Sequence, residues 1–162
     1  MSLDPFEFRR ALGQFATGVT VVTTRDAEGR PQGLTLNAFC SVSLEPPLVL
    51  ICVDHRCEAN AGLAESGRFA VNVLSEAQEE LSRRFAGGGP LKFAGLELPA
   101  GVSGLPLIPG ALAALECHVV SSHAAGDHTI YVGEVERLEY RPGRPLVYHR
   151  SAYRRLVPDG AA

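Results

Sequence analysis

The stretch Gly33-Leu-Thr-Leu-Asn-Ala-Phe-Cys-Ser-Val-Ser-Leu-Glu-Pro-Pro-Leu-Val-Leu-Ile-Cys-Val-Asp54 sets a row of small polar groups directly before an almost wholly apolar strand. Thr35, Asn37, Ser41 and Ser43 alternate with Leu34, Leu36 and Val42, and residues two apart on an extended chain point to the same face. One face of the segment therefore offers hydroxyls and an amide beside a greasy wall. Two readings of that face stand open. It is an edge strand with its polar side in solvent, closed by Pro46-Pro47, or it is the rim of a site for a flat apolar ring edged with hydrogen-bonding groups.

Upstream, Thr20-Val-Val-Thr-Thr24 is β-branched throughout, and the polar Arg25-Asp-Ala-Glu-Gly29 predicts a hairpin leading into Pro31–Ser43. Before it, Asp4–Phe15 reads as an amphipathic helix. Asp4-Pro5 supplies a cap and a first-turn proline, Phe8, Leu12 and Phe15 share a stripe, and Gly18 ends it. Downstream, Leu48–Val53 is expected to be a buried strand, Glu58–Ser66 a helix stopped at Gly67, and Phe69–Leu74 a strand. Ser75-Glu-Ala-Gln78 has the form of a capping box and predicts a helix from Glu76 to Phe85, ended by Gly87-Gly-Gly-Pro90. The stretch from Pro90 to Pro109 shows no sustained period and reads as a long loop, of the kind that serves as a binding loop or lid. Ala114–Ser122, Thr129–Tyr140 and Pro145–His149 return to strand. Many strands at hairpin spacing predict a mainly antiparallel β protein with short peripheral helices, and the lack of a G-x-G-x-x-G turn disfavours a Rossmann site.

The 162 residues suit one domain spanning 1–162, with a core over 8–156. A hydrophobic fraction of 46% and a charged fraction of 20% are those of an ordinary globular protein. The net charge of −3 argues against a nucleic-acid partner, which needs a basic face. Cys40, Cys52, Cys57 and Cys117 show neither C-x-x-C nor paired Cys/His spacing, so no metal is expected. No apolar run is long enough to span a bilayer and no leader pattern opens the chain, so no membrane partner is expected and the cytoplasm is the expected location. There the cysteines stay reduced, and Cys40 and Cys52 are expected to be small buried hydrophobes.

Taken with Gly18-Val-Thr-Val-Val-Thr-Thr24, Phe69-Ala-Val-Asn-Val-Leu74, Gly126-Asp-His128 and Pro145-Leu-Val-Tyr-His149, the opening segment resembles the short-chain flavin reductase family, the reductase partners of two-component flavin monooxygenases. The pieces match in order from Phe8 to Leu156. The resemblance implies an antiparallel split β-barrel with Greek-key character, assembled as a homodimer with flavin sites near the subunit interface. It implies an NAD(P)H:flavin oxidoreductase that reduces FMN, with FAD possible, draws on NADH or NADPH, and supplies reduced flavin to a monooxygenase. The alternative is a non-catalytic flavin- or heme-binding protein on the same barrel.

The resemblance assigns Thr35, Asn37, Ala38 and Ser41 to the flavin, with Cys52 and Asp54 along the same cofactor. The turn His55-Arg-Cys-Glu-Ala-Asn60 stands where the family holds the flavin phosphate. Here it departs from the family's Ser, Lys or Thr: Arg56 offers charge and Asn60 a helix cap, but Glu58 would repel a phosphate if it pointed inward. Lys92 is a second candidate for the phosphate or ribityl end, against a surface lysine in a loop, and Phe85 closes one side of the site or is simply core. His128 falls on the nicotinamide side of the flavin, as a hydrogen-bonding group and not an obligatory base, against a turn residue. Tyr153 stands beside the flavin or nicotinamide. Hydride transfer between two cofactors needs positioning from the protein and no nucleophile, so no catalytic triad is expected.

Overall fold

The computed structural model describes residues 3–157. Helix α1 (Pro5–Leu12) opens with the Asp4 carboxylate accepting the Phe6 N–H at 2.9 Å. Strands β1 (Thr17–Gly18), β2 (Thr20–Arg25), β3 (Pro31–Leu36), β4 (Phe39–Ser43) and β5 (Leu48–Asp54) follow, then helix α2 (Ala59–Ser66) and β6 (Arg68–Val73). A short 3₁₀ turn leads into α3 (Glu79–Ala86), and after the long loop come β7 (Ala113–Ala125), β8 (His128–Tyr140), β9 (Val147–His149) and β10 (Ala152–Arg154).

The larger sheet runs β3-β2-β6-β7-β8-β5-β4, antiparallel throughout. Its first and last strands are neighbours in sequence, joined only by Asn37 and Ala38. Two residues cannot cross the width of an open sheet, so the sheet must curl until its edges meet. The Ala38 carbonyl accepts the Cys52 N–H at 3.1 Å, which continues the β4–β5 ladder into the link. This is the split barrel that the family resemblance implied. A small sheet, β1-β9-β10, packs outside it.

The barrel interior is filled by Val22, Leu36, Ile51, Val53, Phe69 and their neighbours. Phe69 lies so close to β8 that a Cβ on Gly133 would stand 2.5 Å from its ring. A second cluster, with Val21, Leu74, Phe85, Ile108 and Leu146, fills the space outside the barrel wall. Strand β2 feeds alternate residues to both clusters, which is why its apolar and threonine side chains are buried without interruption.

Several expectations need correction. Helix α1 ends at Leu12, short of the expected Phe15, and Gly18, expected to stop it, instead pairs with Val147 of β9. Its apolar stripe is buried nowhere in the chain, and Phe15 is 77% exposed. Strand β5 is buried only at alternate residues, because one face meets the barrel core and the other faces out. Cys52 therefore lies half-buried and Cys40 exposed, against the expectation that both are core. The loop after α3 is no free lid: fully buried Asn72 accepts the Ile108 N–H at 2.9 Å and donates to the Val21 carbonyl at 3.0 Å. Thr23 adds a bond to the Pro106 carbonyl at 2.6 Å. Strand β10 was not anticipated, three residues being too short to show a period. Among the described residues no helix is long and apolar enough to cross a membrane.

Candidate functional site

Strand β3, the seam, the end of β5, the start of β8 and the end of α3 enclose a groove of about 570 Å³. The backbone of Leu34 and Leu36, whose side chains point into the barrel core, runs along it, and Phe85 forms its floor. The position of α3 is set from both sides: Thr35 donates its hydroxyl to the Ser82 carbonyl at 2.6 Å, and the Ser75 N–H is accepted by Gln78 Oε1 at 3.0 Å in the anticipated capping box. Gly33 lets β3 lie against the helix, since a Cβ there would stand 2.8 Å from the Phe85 ring and 3.1 Å from that of Phe93.

Thr35, Asn37, Ala38, Cys52, Asp54, Arg56, Phe85, Lys92 and His128 all line this groove. Asn37 is exposed at the seam and donates to the Thr17 hydroxyl at 3.1 Å. Asp54 and His128 stand opposite each other in the β5–β8 ladder. Asp54 is gripped by the Arg56 guanidinium, at 2.7 Å, and by its backbone N–H, which hold the carboxyl well below the usual carboxylate range. Arg56 is thereby committed to a carboxylate. His128 Nδ1 lies 2.7 Å from Asp127 Oδ1. An ionised carboxylate only accepts, so this nitrogen carries a proton, and Nε2 is left for another partner. The bond to His128 in turn lowers the Asp127 carboxyl, and burial pushes the Cys52 thiol up.

Lys92 is placed by its neighbours. Arg84 donates to the Leu91 carbonyl at 3.0 Å and to that of Ala94, which pins the turn after the triple glycine, and Lys92 Nζ donates to the Gly33 carbonyl at 3.1 Å. It makes no ion pair among the described residues, so its charge stays available to the groove.

Three of the predicted residues fall outside the lining. Ser41 sits on β4, beyond the seam and exposed; the same-face rule that joined it to Thr35 requires a continuous strand, and the chain breaks at Asn37–Ala38. Asn60 accepts the Tyr131 hydroxyl at 2.5 Å and serves the barrel wall. Tyr153 lines a neighbouring polar groove of about 540 Å³ that meets the first at Ala86 and Gly87. There its hydroxyl is 2.7 Å from Ser82 Oγ, its ring meets Tyr148 edge-on, and Arg83 lies over its face at 4.7 Å. Arg83 and Tyr148 went unread in the sequence, as did Gly33 and the groove-lining role of Gly87 and Gly88. The triple glycine was the available signal, and it had been read only as a helix stop.

The groove's lining fits a flavin: an aromatic floor for the ring system, an amide and backbone groups at the seam for its polar edge, and one ammonium without an ion-pair partner at the far end for a phosphate. Among the described residues no cluster of metal-ligating side chains is present.

Residues 12–157 match the family model of the flavin reductase like domain. The reductase subunit HsaB of a flavin-dependent monooxygenase from Rhodococcus jostii is 43% identical over 159 residues, covering 98% of this chain and 81% of that one. The FMN reductase (NADH) SmoA of Agrobacterium fabrum is 47% identical over 149 residues, 92% of this chain and 84% of its own. The NADH:FAD oxidoreductase SgcE6 of Streptomyces globisporus, solved in complex with NAD and FAD fragments, superposes with a TM-score of 0.91 at 41% identity, covering 99% of both chains.

Proposed function

The chain belongs to the flavin reductase like family, and from that premise we propose that it uses the groove beside the barrel seam to pass electrons from NADH to a flavin. The protein is a nicotinamide-dependent reductase of FMN or FAD, and a flavin-dependent monooxygenase is the recipient of its product. The observation that carries the site assignment is the meeting of Asn37, Cys52, Asp54, Phe85, Lys92 and His128, drawn from distant parts of the chain, around one cavity.

When bound, the flavin would supply the ring that accepts a hydride, one proton with two electrons, from the dihydronicotinamide. The chain's own part is positioning. Phe85 with the β3 backbone excludes water from one face, and Asn37 with the seam backbone orients the polar edge. Lys92 neutralises a phosphate. His128, turned by Asp127, offers its Nε2 to the carboxamide of the nicotinamide. Tyr153 and Tyr148 receive the rest of the dinucleotide in the adjoining groove, entering over Ala86 and Gly87; Tyr153 thus serves the nicotinamide side.

One domain carries the whole activity. The exposed stripe of α1, with Phe6, Phe8, Leu12 and Phe15 uncovered, supports a homodimer that buries it. Four free thiols and a nicotinamide donor support action in the cytoplasm.

The test is NADH oxidation by the purified protein with and without added FMN or FAD. Consumption that depends on flavin is expected; flavin binding with oxidation of neither NADH nor NADPH would overturn the reading. His128→Ala should lower kcat by about 2- to 10-fold, the worth of one hydrogen bond, and leave flavin Kd within about 2-fold. If both stay unchanged, His128 does not touch the nicotinamide. Lys92→Met should weaken FMN binding by about 10- to 100-fold, as expected for one hydrogen bond to a charged group, and spare riboflavin, which has no phosphate. Equal losses for the two would show that Lys92 acts on the groove's shape instead.

A further inference from the structure

Beyond Lys92 and Glu58 the flavin groove continues into a second cavity of about 560 Å³, bordered by Pro31, Gly33, Gly89 and Phe93 and sharing both of those side chains with the first. A mononucleotide ends at its phosphate and has nothing to place there. We propose that this second cavity takes the adenosine half of a flavin adenine dinucleotide, with Lys92 at the pyrophosphate and Glu58 on the adenosine ribose, so that the protein prefers FAD to FMN. The inference rests on the flavin reading of the first groove.

The charges support it. Of the three cations that line the two cavities, Arg56 is held by Asp54 at 2.7 Å, and Arg30 by Asp26 at 2.8 Å and Glu28 at 2.7 Å. Lys92 alone has no carboxylate partner among the described residues, and its bond to the Gly33 carbonyl fixes it where the two cavities meet. Glu58 is exposed at the start of α2, makes no cap bond, and its carboxylate has no partner among the described residues. A carboxylate beside a phosphate repels it. The terminal phosphate of FMN, a monoester, concentrates a charge of about −1.5 to −2 on one phosphorus, whereas the pyrophosphate of a dinucleotide spreads its charge over two. An ionised carboxylate is an acceptor with several lone pairs, which suits the paired hydroxyls of a ribose. Phe93, set edge-on to Phe85 at 5.0 Å, adds a fixed apolar surface for a purine. The residue that makes this turn a poor phosphate cradle is thus the residue that a dinucleotide would use.

The experiment is calorimetric titration of riboflavin, FMN and FAD into the wild type, Glu58→Ala and Glu58→Gln. FAD is expected to bind the wild type at least about 10-fold more tightly than FMN, one charged hydrogen bond's worth. Glu58→Ala should cost FAD most of that advantage and strengthen FMN, while Glu58→Gln, which removes charge but keeps an acceptor, should strengthen FMN and cost FAD less. FMN binding as tightly as FAD to the wild type would overturn the dinucleotide site, as would a shift of both ligands in the same direction on Glu58→Ala. If riboflavin, FMN and FAD all fail to bind, the flavin reading itself falls and this inference with it. Binding of riboflavin and FMN without preference for FAD sinks the inference alone.

Discussion

Replacing Phe85 with alanine is expected to destabilise the protein by about 3–5 kcal/mol and to remove measurable flavin binding. The ring is 1% exposed, meets Phe93 edge-on at 5.0 Å, and packs with Val19, Val21, Leu74, Ile108 and Leu146. Strand β3 presses on it where Gly33 has no side chain. Deleting the ring takes away the floor of the groove and leaves a cavity that the pinned β3 cannot collapse to fill, so the cost belongs at the upper end for an aromatic truncation. Against a typical total stability of about 5–15 kcal/mol this is a large share. Urea denaturation and flavin titration check the two halves. Phe85→Leu, which keeps much of the volume, should lose about half as much stability. A Phe85→Ala variant as stable as the wild type would mean that the second cluster does not hold α3 to the barrel.

Glu116→Ala is expected to cost about 2–4 kcal/mol. The side chain is 5% exposed on β7, and its carboxylate accepts the Val102 N–H at 3.1 Å, the Ser103 N–H at 2.7 Å and the Ser103 hydroxyl. The loop closes so tightly over it that a Cβ on Gly101 would stand 2.5 Å from the carboxylate. Truncation leaves three donors to find water and frees the loop that carries Leu105 and Ile108 into the core. Burial raises the carboxyl, but the Ser103 hydroxyl, the two backbone N–H groups and the Arg137 charge outweigh it and set the group below its ordinary 4.5. A carboxylate depressed on folding stabilises fully above its unfolded value, and that contribution is lost as pH falls through the folded value. The stability difference between wild type and Glu116→Ala should therefore be largest near neutrality and shrink on acidification below about 4.5. Other depressed carboxylates, Asp26 and Asp54 among them, are common to both proteins and cancel in the difference. A gap independent of pH would show that packing, not the ionised carboxylate, is what Glu116 contributes.

Much of the molecule was legible in local terms. The β-branched run at Thr20–Thr24, the capping box at Ser75–Gln78 and the stop at Gly67, whose φ of 61° suits glycine, each specify an element through interactions within a few residues. Of the polar row in the opening segment, Thr35 and Asn37 both line the groove. Ser41 stands apart from them, because alternation is a rule about one straight strand, and this chain leaves one sheet edge at Leu36 and joins the other at Phe39. Asn60 was read as a helix cap beside a ligand, whereas the Tyr131 hydroxyl, 71 residues on, claims it.

By itself, the amino-acid sequence determined most of the longer strands, the start of α1, the stop of α2 at Gly67 and the capping box before α3, and which family the chain resembles. Those properties depend on backbone conformation, side-chain shape and contacts close along the chain. Tertiary structure alone decided that the sheet closes across Asn37 and Ala38, that Lys92 meets the Gly33 carbonyl and not a carboxylate, and that Tyr153 faces a second groove. Each of these depends on which distant faces meet when the barrel closes, and side chains that converge from β3, β5, α3 and β8 carry no mark of that meeting in their order along the chain.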